Sequence, residues 1–170
     1  MDRRIKVILP IALAVIFLII QPREIYPLVV VYFFPPFGKE SVIPTAIALG
    51  FHPLHVALTF TTMDAITSLF IIWNFDLACR LWVVGNLIML TMRRSINMLS
   101  RHRWIGRLTY LSIFIFVFVP FQGTGGVSAS ILGRLLGLRP DYLWLVIVSA
   151  SLTSSLMISY SIRFALKFLY

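Results

Sequence analysis

Apolar residues along this chain come in runs of two lengths. Leu54 to Ile72 and Tyr142 to Tyr160 each hold about 19 residues, enough for an α-helix to span a ~30 Å hydrocarbon core. Ile25 to Phe34 and Leu108 to Val119 are shorter; the second has roughly 12 residues and would rise only about 18 Å. Both short runs stop at proline, in Pro35-Pro36-Phe37-Gly38 and in Pro120-Phe121-Gln122-Gly123-Thr124-Gly125-Gly126. Apolar sequence then resumes, as Ser41 to Phe51 around Pro44, and beyond Gly126 among Ser128, Ala129, Ser130 and Gly133. A segment that enters part-way, breaks and returns as a second short helix is a re-entrant hairpin. Broken backbone at membrane depth is tolerated only where protein or a water-filled cavity satisfies it. Pro35, Pro36, Pro44 and Pro120 are therefore expected to shape two hairpins, and the breaks are where function is expected.

The order of events recurs. Short run, proline break, short helix, Gly50-Phe51-His52-Pro53 and long helix are matched by short run, break, short helix, Gly137-Leu138-Arg139-Pro140 and long helix. The two sets of landmarks lie roughly 85 residues apart, and paired interrupted segments of this kind point to a transporter binding site. Ahead of them, Arg3, Arg4 and Lys6 precede the apolar run Val7 to Ile20, which resembles a signal peptide but lacks a small-residue cleavage site. It reads as an uncleaved first membrane helix, with Pro10 kinking it or marking its start. The expected fold is an all-α polytopic membrane protein, one membrane domain over residues 1–170. It would comprise a first helix (1–22), repeat one (23–74), a basic cytoplasmic or interfacial linker (75–107), repeat two (108–162) and a C-terminal end (163–170). Each repeat is a re-entrant helical hairpin plus one spanning helix, and the two are inverted. Leu81 to Met92, within the linker, either lies on the membrane or dips into it.

Composition makes lipid the solvent: 59% of the 170 residues are hydrophobic and 12% charged, with mean hydropathy +0.94. Net charge is +9, which in this setting fits lipid headgroups and the positive-inside rule without nucleic acid. If the first helix starts in the cytoplasm, all Lys and Arg except Arg23, Lys39, Arg163 and Lys167 fall on that side. A plasma-membrane location with the N-terminus and basic linker cytoplasmic follows. The single cysteine, Cys79, excludes an intramolecular disulfide. No cofactor or metal is expected.

Candidate chemistry lies at the breaks and in one spanning helix. Lys39 and Glu40 sit at the tip of the first hairpin, where ionisable groups are costly and usually face a cavity. Asp64 lies about ten residues into a spanning helix and must be paired, protonated or wet, which makes it and Glu40 candidates for coupling to a proton or ion. Partnering by a hairpin arginine is the structural alternative for Asp64. Gln122, Gly123, Thr124, Gly125 and Gly126 open a short helix, where successive backbone N–H groups form a nest for phosphate or carboxylate. Arg134 is placed to meet a lipid phosphate bidentately, whereas Arg139 reads as snorkelling to headgroups. His52 and His55 read as interfacial packing. Ser151, Ser155 and Ser159 recur at i, i+4 and i+8, a small-residue stripe suited to close helix packing, in the chain, with a partner or in a homo-oligomer.

Two of these stretches carry a resemblance. Glu40-Ser41-Val42-Ile43-Pro44 followed by Ile47-Ala48-Leu49-Gly50-Phe51-His52-Pro53-Leu54 resembles the first motif of the small multidrug export protein family. Pro120-Phe121-Gln122-Gly123-Thr124-Gly125-Gly126 followed by Leu136-Gly137-Leu138 is similar to its second, with Gln122 in place of a proline and Gly126-Val127 in place of an alanine-aromatic pair. The likeness extends from Lys39 to Pro140 and into the following helix. That family is similar in plan to the DedA/VTT superfamily, whose members have two opposed re-entrant hairpins and are linked to moving lipids or polyprenyl-phosphate carriers. The resemblance implies a transporter that moves an anionic lipid or lipid-linked phosphate among membrane-lipid partners, with export of small amphipathic compounds as the variant. A non-transporting scaffold or assembly subunit is the alternative class. The motifs of intramembrane proteases, Gly-x-Ser-x-Gly, paired aspartates and His-Glu-x-x-His, do not occur, so an enzyme is not expected.

Overall fold

The computed structural model describes residues 3–33, 38–75, 109–119 and 125–169. Every regular element among them is helical: α1 (Arg3–Ile20), α2 (Tyr26–Tyr32), α3 (Lys39–Ala48), α4 (Pro53–Trp73), α5 (Thr109–Phe118), α6 (Gly126–Leu135) and α7 (Pro140–Leu169), with a 3-10 turn at Arg23–Ile25. The all-α class follows the apolar periodicity. The hairpin residues Pro35, Pro36, Pro120, Gln122, Gly123 and Thr124, the run 81–92 and the basic cluster up to Arg107 lie outside the described residues.

Among the described residues, helices α4 and α7 are long and apolar enough to cross a membrane; α1 and Arg23–Tyr32, bent by 118° to each other, make a third span if the pair crosses as one and a re-entrant loop if it does not. α4 matches the expected long run. α7 does not stop near Tyr160 but continues to Leu169. Arg163 and Lys167 are good helix formers with exposed side chains, so the charge that ends the apolar run does not end the helix. Pro10 and Pro44 both lie inside helices, so neither marks a break.

α4 and α7 pack along most of their length in opposite directions. Near its middle, α4 meets α7 where Ser151 donates to Asp64 and Trp144 Nε1 donates to the carbonyl of Ala65 (2.9 Å). The first half of α4 (Val56, Phe60, Met63) shares a core with Ile158 and Ile162, late in α7. Its end (Ile72) joins Leu143, Ile147 and Ala150, early in α7, with Ile113 and Val117 of α5 and Ala129 and Leu132 of α6. α1 lies antiparallel to α4: Asn74 donates to the carbonyl of Lys6 (2.8 Å), and Thr59 to Gln21 Oε1 (3.2 Å). Outward faces carry Ile8, Ile19, Leu145, Met157 and Phe164, all well exposed, as expected of surfaces meant for lipid.

The repeat expected from hydropathy is visible in backbone detail, at a spacing of 87 residues, the separation of Asp64 and Ser151. α3 begins at Lys39 and α6 at Gly126. α3 closes with Gly50 at φ 91°, its N–H on the carbonyl of Ile47 and that of Phe51 on Ala46; α6 closes with Gly137 at φ 72°, its N–H on Arg134 and that of Leu138 on Gly133. These are matching glycine caps in the left-handed region. The next helices then start at Pro53 and Pro140, where a missing N–H costs nothing. The corresponding helices α4 and α7 run antiparallel, as an inverted repeat requires.

Candidate functional site

The two repeats meet at Asp64, twelfth of the 21 residues of α4 and fully buried. Its Oδ1 accepts from the hydroxyl of Tyr32, the last residue of α2 (2.5 Å), and from the backbone N–H of Gly126, the first of α6 (3.0 Å). Its Oδ2 accepts from the hydroxyl of Ser151 on α7 (2.5 Å) and lies 4.0 Å from Lys39 Nζ, the first residue of α3. Lys39 is itself 1% exposed and donates to the carbonyl of Val117 in the last turn of α5 (3.0 Å).

Each charge of this ion pair is thus met by a helix end of suitable sign. The carboxylate rests against the N-terminus of α6, where unpaired N–H groups and the helix dipole favour an anion. The ammonium rests against the C-terminus of α5, where carbonyls without an intrahelical partner favour a cation. A buried ion pair is sustained only when extra hydrogen bonds satisfy both ions, and here both have them.

Close approach of α6 to α4 requires glycine at position 126. A Cβ there would sit 2.9 Å from Asp64 Oδ1 and 3.0 Å from the Asp64 carbonyl oxygen. Ser130 donates to the Gly126 carbonyl (2.6 Å), and Thr67 donates to the carbonyls of Met63 (2.7 Å) and Asp64 (3.2 Å), so the surrounding hydroxyls are held by backbone.

Glu40 follows Lys39 and is close enough to interact electrostatically with both Lys39 and Asp64. Its side chain curls back over Gly38, and its Oε2 is buried without a hydrogen-bond partner.

Of the residues singled out in the sequence, Lys39, Glu40, Asp64, Gly125 and Gly126 come together. At Gly125 a Cβ would only touch Asp64 Oδ1 and the Tyr32 hydroxyl, at 3.8 and 3.9 Å. Two expectations change. The N–H of Gly126, offered to a substrate phosphate, is taken by Asp64. The partner of Asp64 is Lys39 and not a hairpin arginine, since Arg134 stands at the far end of α6 with its guanidinium over the ring of Phe75 (5.6 Å). Pro44 lies six positions into α3, away from the break, and its missing N–H leaves the Glu40 carbonyl without the usual helical partner. Tyr32 and the carbonyl of Val117 were missed. The only signal for Tyr32 was a hydroxyl at the end of an apolar run beside a break. Ser151 was noticed for its small size, whereas its hydroxyl on Asp64 is what matters. No group of three or more metal-ligating side chains occurs among the described residues.

No curated protein and no solved structure matches the chain. The family model described as "Putative small multi-drug export protein" matches residues 40–157, from Glu40 past Ser151, and the chain belongs to that family of membrane proteins.

Proposed function

We propose that this protein exports small molecules in exchange for protons, with Asp64 as the coupling carboxylate and Glu40 beside it as the first acceptor of positive charge. The observation that carries this is a charge balance. Among the described residues two carboxylates and one ammonium meet here, Asp64 and Lys39 buried and Glu40 half-buried, so the site is one positive charge short of neutral when all three are ionised. In low dielectric an uncompensated charge is costly, and a proton or an organic cation supplies what is missing. Glu40 Oε2, buried and unpartnered, is where that charge lacks a mate.

A proton on Asp64 would weaken the pairing with Lys39 and the hydrogen bonds from Tyr32, Gly126 and Ser151 together. Those bonds join α2, α3, α6 and α7 to α4, so one proton bears on the contact between the two repeats. Alternation between proton-loaded and cation-loaded forms is then a rocking of one repeat against the other around a fixed site. In this scheme the two broken segments are re-entrant hairpins whose inner ends form the site, and the basic linker lies in the cytoplasm, as the distribution of Lys and Arg supports.

The test is uptake of a fluorescent organic cation such as ethidium by proteoliposomes under an imposed pH gradient. Glu40→Gln and Asp64→Asn, shown by size-exclusion chromatography to remain folded, are expected to lose gradient-driven uptake. Uptake unaffected by either change removes the proposal.

A second reading, movement of an anionic lipid or lipid-linked phosphate, is favoured by one observation. Arg134 Nε is buried without a hydrogen-bond partner. A guanidinium with an unused donor suits a phosphate. Flux of a fluorescent lipid phosphate that falls in Arg134→Gln, without any effect of Glu40→Gln, would favour this reading over the first.

A further inference from the structure

We infer that in this conformation water and hydrated protons reach Asp64 from one face of the membrane only, along a path lined by Thr61, Ser154, Ser155 and Ser159. This deepens the reading of Asp64 as the coupling carboxylate; the path's openness to water stands apart from that reading.

The first observation is a set of unused hydroxyls. Thr61 on α4 and Ser154, Ser155 and Ser159 on α7 are at most 6% exposed, and the side-chain oxygen of each is buried with no hydrogen-bond partner. Serine and threonine in helices commonly bond back to the carbonyl one turn earlier, and these four do not. Leaving each unsatisfied is costly, and ordered water removes that cost. Antiparallel register set by Asp64 and Ser151 places Thr61 opposite Ser154 and Ser155, one turn from the carboxylate, with Ser159 a turn further towards the start of α4. Residues i and i+4 are about 6 Å apart along a helix, a gap that one water spans with two hydrogen bonds of about 2.8 Å. Ser151, Ser155 and Ser159 are so spaced, and Ser151 already touches the carboxylate.

The second observation uses the repeat as an internal control. At the 87-residue spacing, the counterparts of these four residues lie on the other side of Asp64, towards Trp73. The counterpart of Thr61 is Val148, that of Ser159 is Ile72 (2% exposed) and both are apolar. The counterparts of Ser154 and Ser155 are Thr67 and Ser68, whose hydroxyls donate to the carbonyls of Met63 (2.7 Å) and Ala65 (3.0 Å). At all four positions the unsatisfied hydroxyl is on the same side, and on the other side the counterparts are apolar or already bonded to backbone. Among the described residues the charged and titratable groups beside Asp64 at the inner end are Lys39 and Glu40 of α3 and Tyr32 of α2; between Tyr142 and Tyr160, α7 carries none. The outer end points towards the start of α4, the side that bears Gln21 and His55.

Access is measured with silver ion, a probe narrow enough for such a path and reactive towards thiols. Ser155→Cys, Ser159→Cys, Ser68→Cys and Ile72→Cys are made in a Cys79→Ser background, reconstituted, exposed to silver, then denatured and counted for remaining thiol. Cysteine at 155 and 159 is expected to react at least tenfold faster than at 68 and 72. Should Ser159→Cys fail to fold, the comparison of 155 with 68, two serine replacements at equivalent positions, decides alone. Equal rates, or faster reaction at 68 and 72, overturn the path. Asymmetric access without any gradient-driven transport would uphold the path and remove the coupling reading.

Discussion

Asp64 and Ser151 occupy equivalent positions of the two repeats, 87 residues apart, and are hydrogen-bonded to each other at 2.5 Å. A pair that meets its own counterpart lies on the axis relating the halves. There a symmetric sequence would place two carboxylates or two hydroxyls in contact. This chain places one of each, so that a donor faces an acceptor and one charge is buried instead of two. The same division holds one step out, where Lys39 and Gly126 are both first residues of short helices. One brings a cation to Asp64 and the other a backbone N–H.

The partners of Asp64 are not of equal weight, and truncation is expected to rank them. Asp64→Ala takes from buried Lys39 the carboxylate it is paired with, leaving only Glu40, and strips three donors of their acceptor; breaking a buried pair typically costs about 3–5 kcal/mol. Ser151→Ala removes one neutral donor, at about 1 kcal/mol. Thermal unfolding in mild detergent should order them accordingly. Lys39→Met combined with Asp64→Asn should be less damaging than the sum of the single changes, because each single change strands its charged partner and the double change does not. Strict additivity would mean that Lys39 and Asp64 do not act as a pair.

Much of this arrangement was legible in the sequence, and the remainder was not for identifiable reasons. Run length and proline placement located α2 to α7, and the repeat emerged from the spacing of Gly50-x-x-Pro53 and Gly137-x-x-Pro140. Asp64, Lys39, Glu40 and the glycine break stood out because charge and backbone freedom are conspicuous in apolar sequence. That Gly126 serves Asp64 rather than a ligand was not legible, since it depends on a contact between residues 62 apart. Nor was Tyr32, whose hydroxyl looks no different in sequence from that of any interfacial tyrosine. The end of α7 was misjudged because hydropathy marks where a helix leaves lipid, not where its backbone hydrogen bonds stop.

The matched caps supply a second expectation. Gly50 and Gly137 have φ of 91° and 72°, and a Cβ at either meets no heavy atom within 4 Å. Replacement by alanine therefore incurs backbone strain without a steric clash, about 1–2 kcal/mol in each case. Gly50→Ala and Gly137→Ala should lower the unfolding temperature by similar amounts. A large inequality would show that one cap has a further role.

If the repeat is inverted across the membrane, its two caps face opposite sides. In a Cys79→Ser background, Phe51→Cys and Leu138→Cys are expected to label with an impermeant maleimide from opposite faces of sealed vesicles. Labelling of both from the same face would mean that one short helix is not inserted as proposed.

Position 126 offers the sharpest steric test, because its neighbour is a control. A Cβ at Gly126 falls 2.9 Å from Asp64 Oδ1, 3.0 Å from its carbonyl oxygen and 3.3 Å from its Cβ. Two of these atoms are anchored by α4 itself, and the third is held by Tyr32, so none yields without moving a helix. At Gly125 the nearest atoms are 3.8 Å away, ordinary contact, and φ is −69°, open to any residue. Gly126→Ala should push α6 from α4, lengthen the N–H bond to Asp64 and cost about 1–3 kcal/mol, the usual range for overpacking. Gly125→Ala should be close to neutral in stability. Transport should follow the same order, since α6 is the element through which the second break reaches the carboxylate. A Gly126→Ala protein as stable and active as its Gly125→Ala neighbour would mean that the α4–α6 contact has room that the geometry denies it.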